Sequence, residues 1–174
     1  MTHGRAGAAG ALPPDAAALA RAWSAAAWSP ALDGALRAIY EEAAQEVARR
    51  RPLCLASGEC CRFEAHGHRL YVTGLEAAWC LRGLGRAPTP AELVGARERG
   101  DCPFLEGARC GAHPWRPLGC RAYYCDGAAQ GWQQALSEGL LARVRALHDA
   151  HEVPYRYGEW RQMLAYFAAD ADPS

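Results

Sequence analysis

Residues 102–125 read CPFLEGARCGAHPWRPLGCRAYYC, and this stretch decides how the chain must fold. Four cysteines (Cys102, Cys110, Cys120 and Cys125) share it with three prolines, and no apolar residue recurs with a helical or strand period. Chain of this kind cannot bury an apolar face of its own. It predicts turns with one or two short strands, ordered by whatever the sulfurs hold. A second block, Cys54-x5-Cys60-Cys61, lies upstream, and Cys80 stands apart in a helical pattern, where it reads as a small buried apolar side chain.

Two loop-borne blocks allow several thiolates to turn toward one point. Zinc takes four ligands tetrahedrally with sulfur at about 2.3 Å, and an iron–sulfur cluster uses four thiolates in a similar way. The candidate ligands are therefore Cys54, Cys60, Cys61, Cys102, Cys110, Cys120 and Cys125. Cys60 and Cys61 are sequence neighbours, suited to serving two metals or to one ligating while the other packs; a disulfide between them would be strained. Seven thiols exceed one tetrahedral site. Two metals with bridging sulfurs, or one metal with spare thiols, both remain open, as does zinc against iron–sulfur.

The surroundings point the same way. Four thiolates on one zinc leave a net charge of about −2, given the deprotonated ligands zinc requires. Arg116 and Arg121, on either side of Cys120, are placed to offset that charge and to hydrogen-bond sulfur. Arg62 and Arg109 adjoin cysteines as well. His113, in Cys110-Gly-Ala-His113, has the spacing of a zinc half-site and reads as a hydrogen-bonding neighbour of the sulfurs or as a ligand. His66 and His68 read as surface residues around a turn glycine, His148 and His151 as structural. Trp115, Tyr123 and Tyr124 read as core packing, with an aromatic wall beside the metal as the other use.

Outward from the cysteines the pattern is helical. Asp15 is placed to cap a short alanine-rich helix reaching Trp28. After Ser29-Pro30, Leu32, Leu36, Ile39, Tyr40, Ala43 and Val47 form one face and Arg37, Glu41, Glu42, Glu46 and Arg50 the other, until Pro52. Arg62–Glu64 and Arg69–Val72 read as a short hairpin turning at Gly67. Thr73-Gly-Leu-Glu76 and Thr89-Pro-Ala-Glu92 are capping boxes opening two more helices, which stop near Gly83 or Gly85 and near Gly100. Trp132, Leu136, Leu140, Val144 and Leu147 mark a long amphipathic helix, and a last one spans about Gly158 to Ala169. The fold class expected is an α-rich small α+β domain: a flexible tail over 1–14, helices over 15–52, a cysteine-cluster core over 53–126, and helices over 127–174 packing on that core.

Composition excludes several functions. The chain has 174 residues and a formal net charge of zero, which removes the usual electrostatic case for nucleic acid or an acidic membrane surface. No run approaches the roughly 20 apolar residues that span a bilayer, and Met1–Pro14 lacks the apolar core of a signal segment. A cytoplasmic location is expected, where thiols stay reduced and eight cysteines point to metal or catalysis rather than disulfides. A protein partner stays open. The dinucleotide turn, the phosphate loop, HExxH and GxSxG are all missing.

The order Cys60-Cys61, then Cys102-Pro103-Phe104-Leu105, then Cys110, then Arg116-Pro117-Leu118-Gly119-Cys120-Arg121 resembles the YkgJ-type cysteine-cluster family, the CxxxxCC zinc- or iron-chelating domain of bacteria. The resemblance covers roughly residues 53–126. It departs from the common pattern in having one cysteine before the pair, after a five-residue gap, and His113 where many members carry tyrosine. It implies metal or iron–sulfur binding without implying a reaction. Flagellin lysine-N-methylases carry a similar cysteine domain, so the alternative is an enzyme: an iron–sulfur oxidoreductase, or a protein-modifying enzyme in a methyl-transfer-like setting, acting beside the cluster.

Overall fold

The computed structural model describes residues 12–54 and 57–168. Helix α1 runs Ala16–Ala27; Asp15 stands at its start without making a side-chain cap bond. Helix α2, Pro30–Arg50, begins with proline at its first turn and buries Leu32, Leu36, Ile39, Tyr40 and Ala43, the stripe set by their spacing. Helix α3, Gly74–Leu84, is opened by the Thr73/Glu76 capping box and closed by Gly85 at φ 70°. Helix α4, Pro90–Arg99, repeats the device with Thr89 and Glu92 and closes on Gly100 at φ 73°.

Helix α3 is the axis of the molecule, since every residue from Gly74 to Leu81 is buried. Helix α1 lies directly on it: a Cβ at Gly74 would fall 2.1 Å from Cε2 of Trp23. The indole of Trp23 is fully buried and donates to the carbonyl of Pro154 at 2.7 Å. Around α3 the buried cluster gathers Leu36, Val72, Trp79, Val144, Trp160 and Leu164. Helix α5, Leu118–Ala122, and helix α6, Gln130–Ala150, pack on α2 and on each other. The last helix, α7, Trp160–Ala165, packs on α3 and α4. Among the described residues no helix is long and apolar enough to cross a membrane.

Strand content is small. Strand β1, Tyr71–Thr73, pairs antiparallel with β4, Tyr157–Glu159, matching Val72 with Gly158. Strands β2, Leu105–Glu106, and β3, Arg109–Cys110, form the one hairpin among the described residues, with Gly107 turning at φ 64°. The architecture is the α-rich α+β domain expected, but the hairpin is not where the sequence put it.

Residues 62–70 make turns instead of a ladder. Phe63 is drawn into the core at 2 % exposure, the Glu64 amide donates to Gly100 O at 3.1 Å, and the Glu64 carboxylate takes Arg161 at 2.8 Å. These distant partners outcompete a cross-turn ladder, and β1 finds its edge in 157–159. For the same reason the last helix starts two residues later than Gly158. Glu159 caps it by accepting from Gln162 N at 3.1 Å, and Ala169 lies outside the described residues, as do positions 1–11 of the expected tail.

Candidate metal centre

Local backbone bonds bring the two cysteine blocks together. Cys61 ends a 3₁₀ turn over Glu59–Cys61 that starts from Gly58 at φ 74°. Gly58 also approaches the second block closely, since a Cβ there would stand 2.9 Å from Ala108 O. The carbonyl of Cys61 accepts from the Cys102 amide at 2.7 Å, splicing one block to the other. Cys110 sits at the end of β3 opposite Leu105. Cys120 is carried by α5, whose first amide, Leu118 N, donates to Glu76 Oε1 at 2.9 Å. Glu76 is fully buried and also accepts from Thr73 N, Thr73 Oγ1 and Tyr40 Oη. One carboxylate therefore caps α3 and fixes the segment that presents Cys120.

Cys61 lies at the centre of the sulfurs. The neighbouring sulfurs of Cys102, Cys110 and Cys60, together with burial, push its thiol up. The neighbouring Cys61 thiol lowers Cys60 to about 6, Arg116 assisting and burial opposing. Cys61 likewise lowers Cys110 to about 7 against its burial. Burial pushes Cys120 well up, with Cys102 and Cys110 adding and Arg116 opposing. Cys80, read as a core residue, is fully buried, and burial together with the nearby Cys102 and Cys110 pushes its thiol up. At the rim, Cys54 and Cys125 are exposed. Burial pushes the Cys125 thiol up, with Cys60 and Cys54 adding, while the Leu53 amide donates to Asp126 Oδ2 at 3.1 Å.

Hydrogen bonding between thiols and readiness for a metal are different properties. Sharing a proton needs one S–H aimed at a neighbouring sulfur; coordination needs all the sulfurs to face one point. The Cys61 thiol lies close enough to Cys60, Cys102 and Cys110 for them to shift it. Among the described residues no group of three or more His, Cys, Asp or Glu side chains meets the second as it stands. The donor chemistry fits a thiophilic ion, and the side chains must reorient to hold one.

The flanking residues divide in role. Arg116 is half-buried and its charge acts on Cys60, Cys110 and Cys120, while its Nε is buried without a hydrogen-bond partner. Arg121 donates to Arg116 O at 2.7 Å and Pro114 O at 3.0 Å and lies 4.4 Å over Tyr40, so it staples the backbone before Cys120. His113 is exposed, with its pKa lowered chiefly by Arg116. Trp115 packs on Trp79. His148 is buried and bonded through Nδ1 to the carbonyls of Val153 and Pro154, a structural role.

His68 is the residue the sequence did not mark. Its ring stacks on Tyr123 at 4.5 Å, its Nε2 is 3.1 Å from Cys60 O, and its Nδ1 is buried without a partner. A histidine beside a turn glycine looks like any surface histidine, and only the fold around Phe63 brings it to the sulfurs. Beside them opens a cavity of about 760 Å³, onto which Cys54, Cys60, Cys61, Cys110 and Cys120 face; Cys102 and Cys125 are not among its lining residues. No family model matches the chain, and no curated protein or solved structure is found to be similar to it.

Proposed function

We propose that this chain is a metal-binding protein that holds zinc or an iron–sulfur cluster through Cys60, Cys61, Cys102 and Cys110, with Cys120 next in reach. The observation that supports this most is the backbone bond from the Cys102 amide to the Cys61 carbonyl at 2.7 Å, which joins the two cysteine blocks and sets Cys102 beside Cys61. Once bound, such a group supplies a polyvalent centre that turns loop chain into ordered structure. The chain's own part is to keep the sulfurs adjacent through the Cys61–Cys102 backbone bond and to set Arg116 against their negative charge. Cys54 and Cys125, at the rim near Cys60, are spare thiols or the start of a second site. The resemblance to the YkgJ-type family belongs to this reading and rests on the strings around Cys60-Cys61, Cys102 and Cys120. So does a cytoplasmic setting, where eight cysteines stay reduced and available to a metal. Zero net charge weighs against nucleic acid as a partner.

An enzyme acting beside the cluster, an oxidoreductase or a protein-modifying enzyme, is the second reading. The cavity opening onto four of the five inner candidate thiols favours it.

Purification without oxygen, with iron, zinc and sulfide quantified alongside the visible spectrum, tests the proposal. Broad absorption near about 400 nm with iron and sulfide identifies a cluster, and a colourless protein with zinc identifies zinc. Cys61→Ser is expected to lose most of the metal and Cys125→Ser to keep it. A wild-type chain that holds neither metal after reconstitution overturns the proposal.

A further inference from the structure

We infer that the cavity beside the cysteines binds a small organic anion with a flat ring. Its charge is the first reason. The chain carries 19 acidic side chains against 19 arginines, yet none of the described aspartates or glutamates lines this cavity, whereas Arg69, Arg109 and Arg116 do. The Cys60 and Cys110 thiols, lowered to about 6 and about 7, are the anionic groups on this wall, and the three guanidinium groups outnumber them; field lines concentrate in such a cleft. Some arginines elsewhere are paired, Arg37 and Arg82 with Asp33, Arg143 with Glu42, Arg161 with Glu64 and Glu159, and others, Arg62, Arg97 and Arg121 among them, donate to backbone carbonyls. Among the described residues Arg109 and Arg116 have no carboxylate within 4.0 Å.

An unsatisfied donor is the second reason. Arg116 Nε is a buried N–H without a partner among the described residues, and it belongs to a residue lining this cavity. Leaving such a donor unmade is costly, so it marks a place prepared for an acceptor. Aromatic walls are the third. Tyr71 and Tyr157, one on each strand of the β1–β4 pair, stack at 5.9 Å and are each 44 % exposed. His68 stacked on Tyr123 supplies further ring surface. All four line the cavity, whose volume of about 760 Å³ suits a small molecule. A carboxylate or phosphate meeting the Arg116 guanidinium, with a ring against the tyrosines, uses every one of these features. The inference does not depend on a metal being bound.

Isothermal titration of the full chain with 2-naphthoate, and with the neutral 2-naphthalenemethanol, tests it. The acid is expected to bind with a dissociation constant of roughly 1 mM or better, and the alcohol about tenfold more weakly, the worth of one charge-assisted contact. Arg116→Gln and Tyr157→Ala should each weaken naphthoate about tenfold while circular dichroism stays unchanged. Arg145→Gln, at a surface position over Tyr155, should change nothing. If Arg116→Gln does not fold, the exposed Arg69→Gln and Arg109→Gln together carry the same expectation. No saturation by naphthoate, equal binding of acid and alcohol, or full affinity in the arginine variants overturns the inference. Metal content measured on the same samples keeps the two proposals apart: naphthoate binding without metal defeats only the metal reading, and metal without naphthoate binding defeats only this one.

Discussion

Asp33 accepts from Trp79 Nε1 and from Arg37 Nε, each at 2.8 Å, and faces Arg82 as well. Burial works against its charge, but the bonds from Arg37, Trp79 and Arg82 prevail and hold the carboxyl at about 2. An unfolded aspartate titrates near 3.9, so the folded form binds its proton less readily than the unfolded one. The resulting stability is present above about pH 4 and disappears as pH falls through about 2. Its size is about 2 kcal/mol, from 1.36 kcal/mol per unit. Urea unfolding of wild type and Asp33→Asn should show a gap at pH 5 that closes toward pH 2; a gap constant over that range means Asp33 titrates like a free side chain. Glu76 is the opposite case. Its burial outweighs four accepted bonds and raises the carboxyl, the cost of placing one residue where both the α3 cap and the Cys120 segment need it.

Helix α3 joins the core to the candidate centre through its glycines as much as its apolar side chains. A Cβ at Gly83 would stand 2.1 Å from Cδ2 of Trp115, whose ring is wedged against Trp79. Trp115 precedes Arg116, so anything that moves the indole moves the arginine facing the sulfurs. Gly83→Ala is therefore expected to cost about 2 kcal/mol as an overpacked contact and to shift tryptophan fluorescence. A variant as stable as wild type, with an unchanged spectrum, removes the wedge from the account. The caps and stripes of these helices were legible because their signals are local: Thr73 finds Glu76 three residues on, and the α2 face follows from spacing alone. The strand at 71–73 was legible as extended chain but not in its pairing. Its partner lies at 157–159, and Glu64, expected to pair across Gly67, answers instead to Gly100 and Arg161. No local pattern carries information about partners that far apart.

The same division runs through the whole molecule. Spacing and loop composition were enough to predict that the two cysteine blocks approach, and the Cys102 amide does bond the Cys61 carbonyl at 2.7 Å. They did not separate these from the rim pair Cys54 and Cys125, nor reveal His68, because depth and ring stacking are settled by how the helices close over the loops. Cys61 and Cys102 belong to the same buried cluster as Trp79, Leu75, Trp23, Leu36, Val144 and Leu164. Helices α2 and α3 bring whole buried stripes to it, whereas the loops around Cys61 and Cys102 bring single positions such as Phe63 and Phe104. If the proposed metal is held as argued, chelating it should free the amides near Cys61, Cys102 and Gly111, whose bonds to Gly58, Cys61 and Phe104 carbonyls tie the loops. Amides inside α2, α3 and α6 should stay protected, because local opening follows local burial. Hydrogen exchange with and without chelator reads this directly. Uniform loss of protection would make the metal the keystone of the entire fold, and no change at all would remove it from the loops.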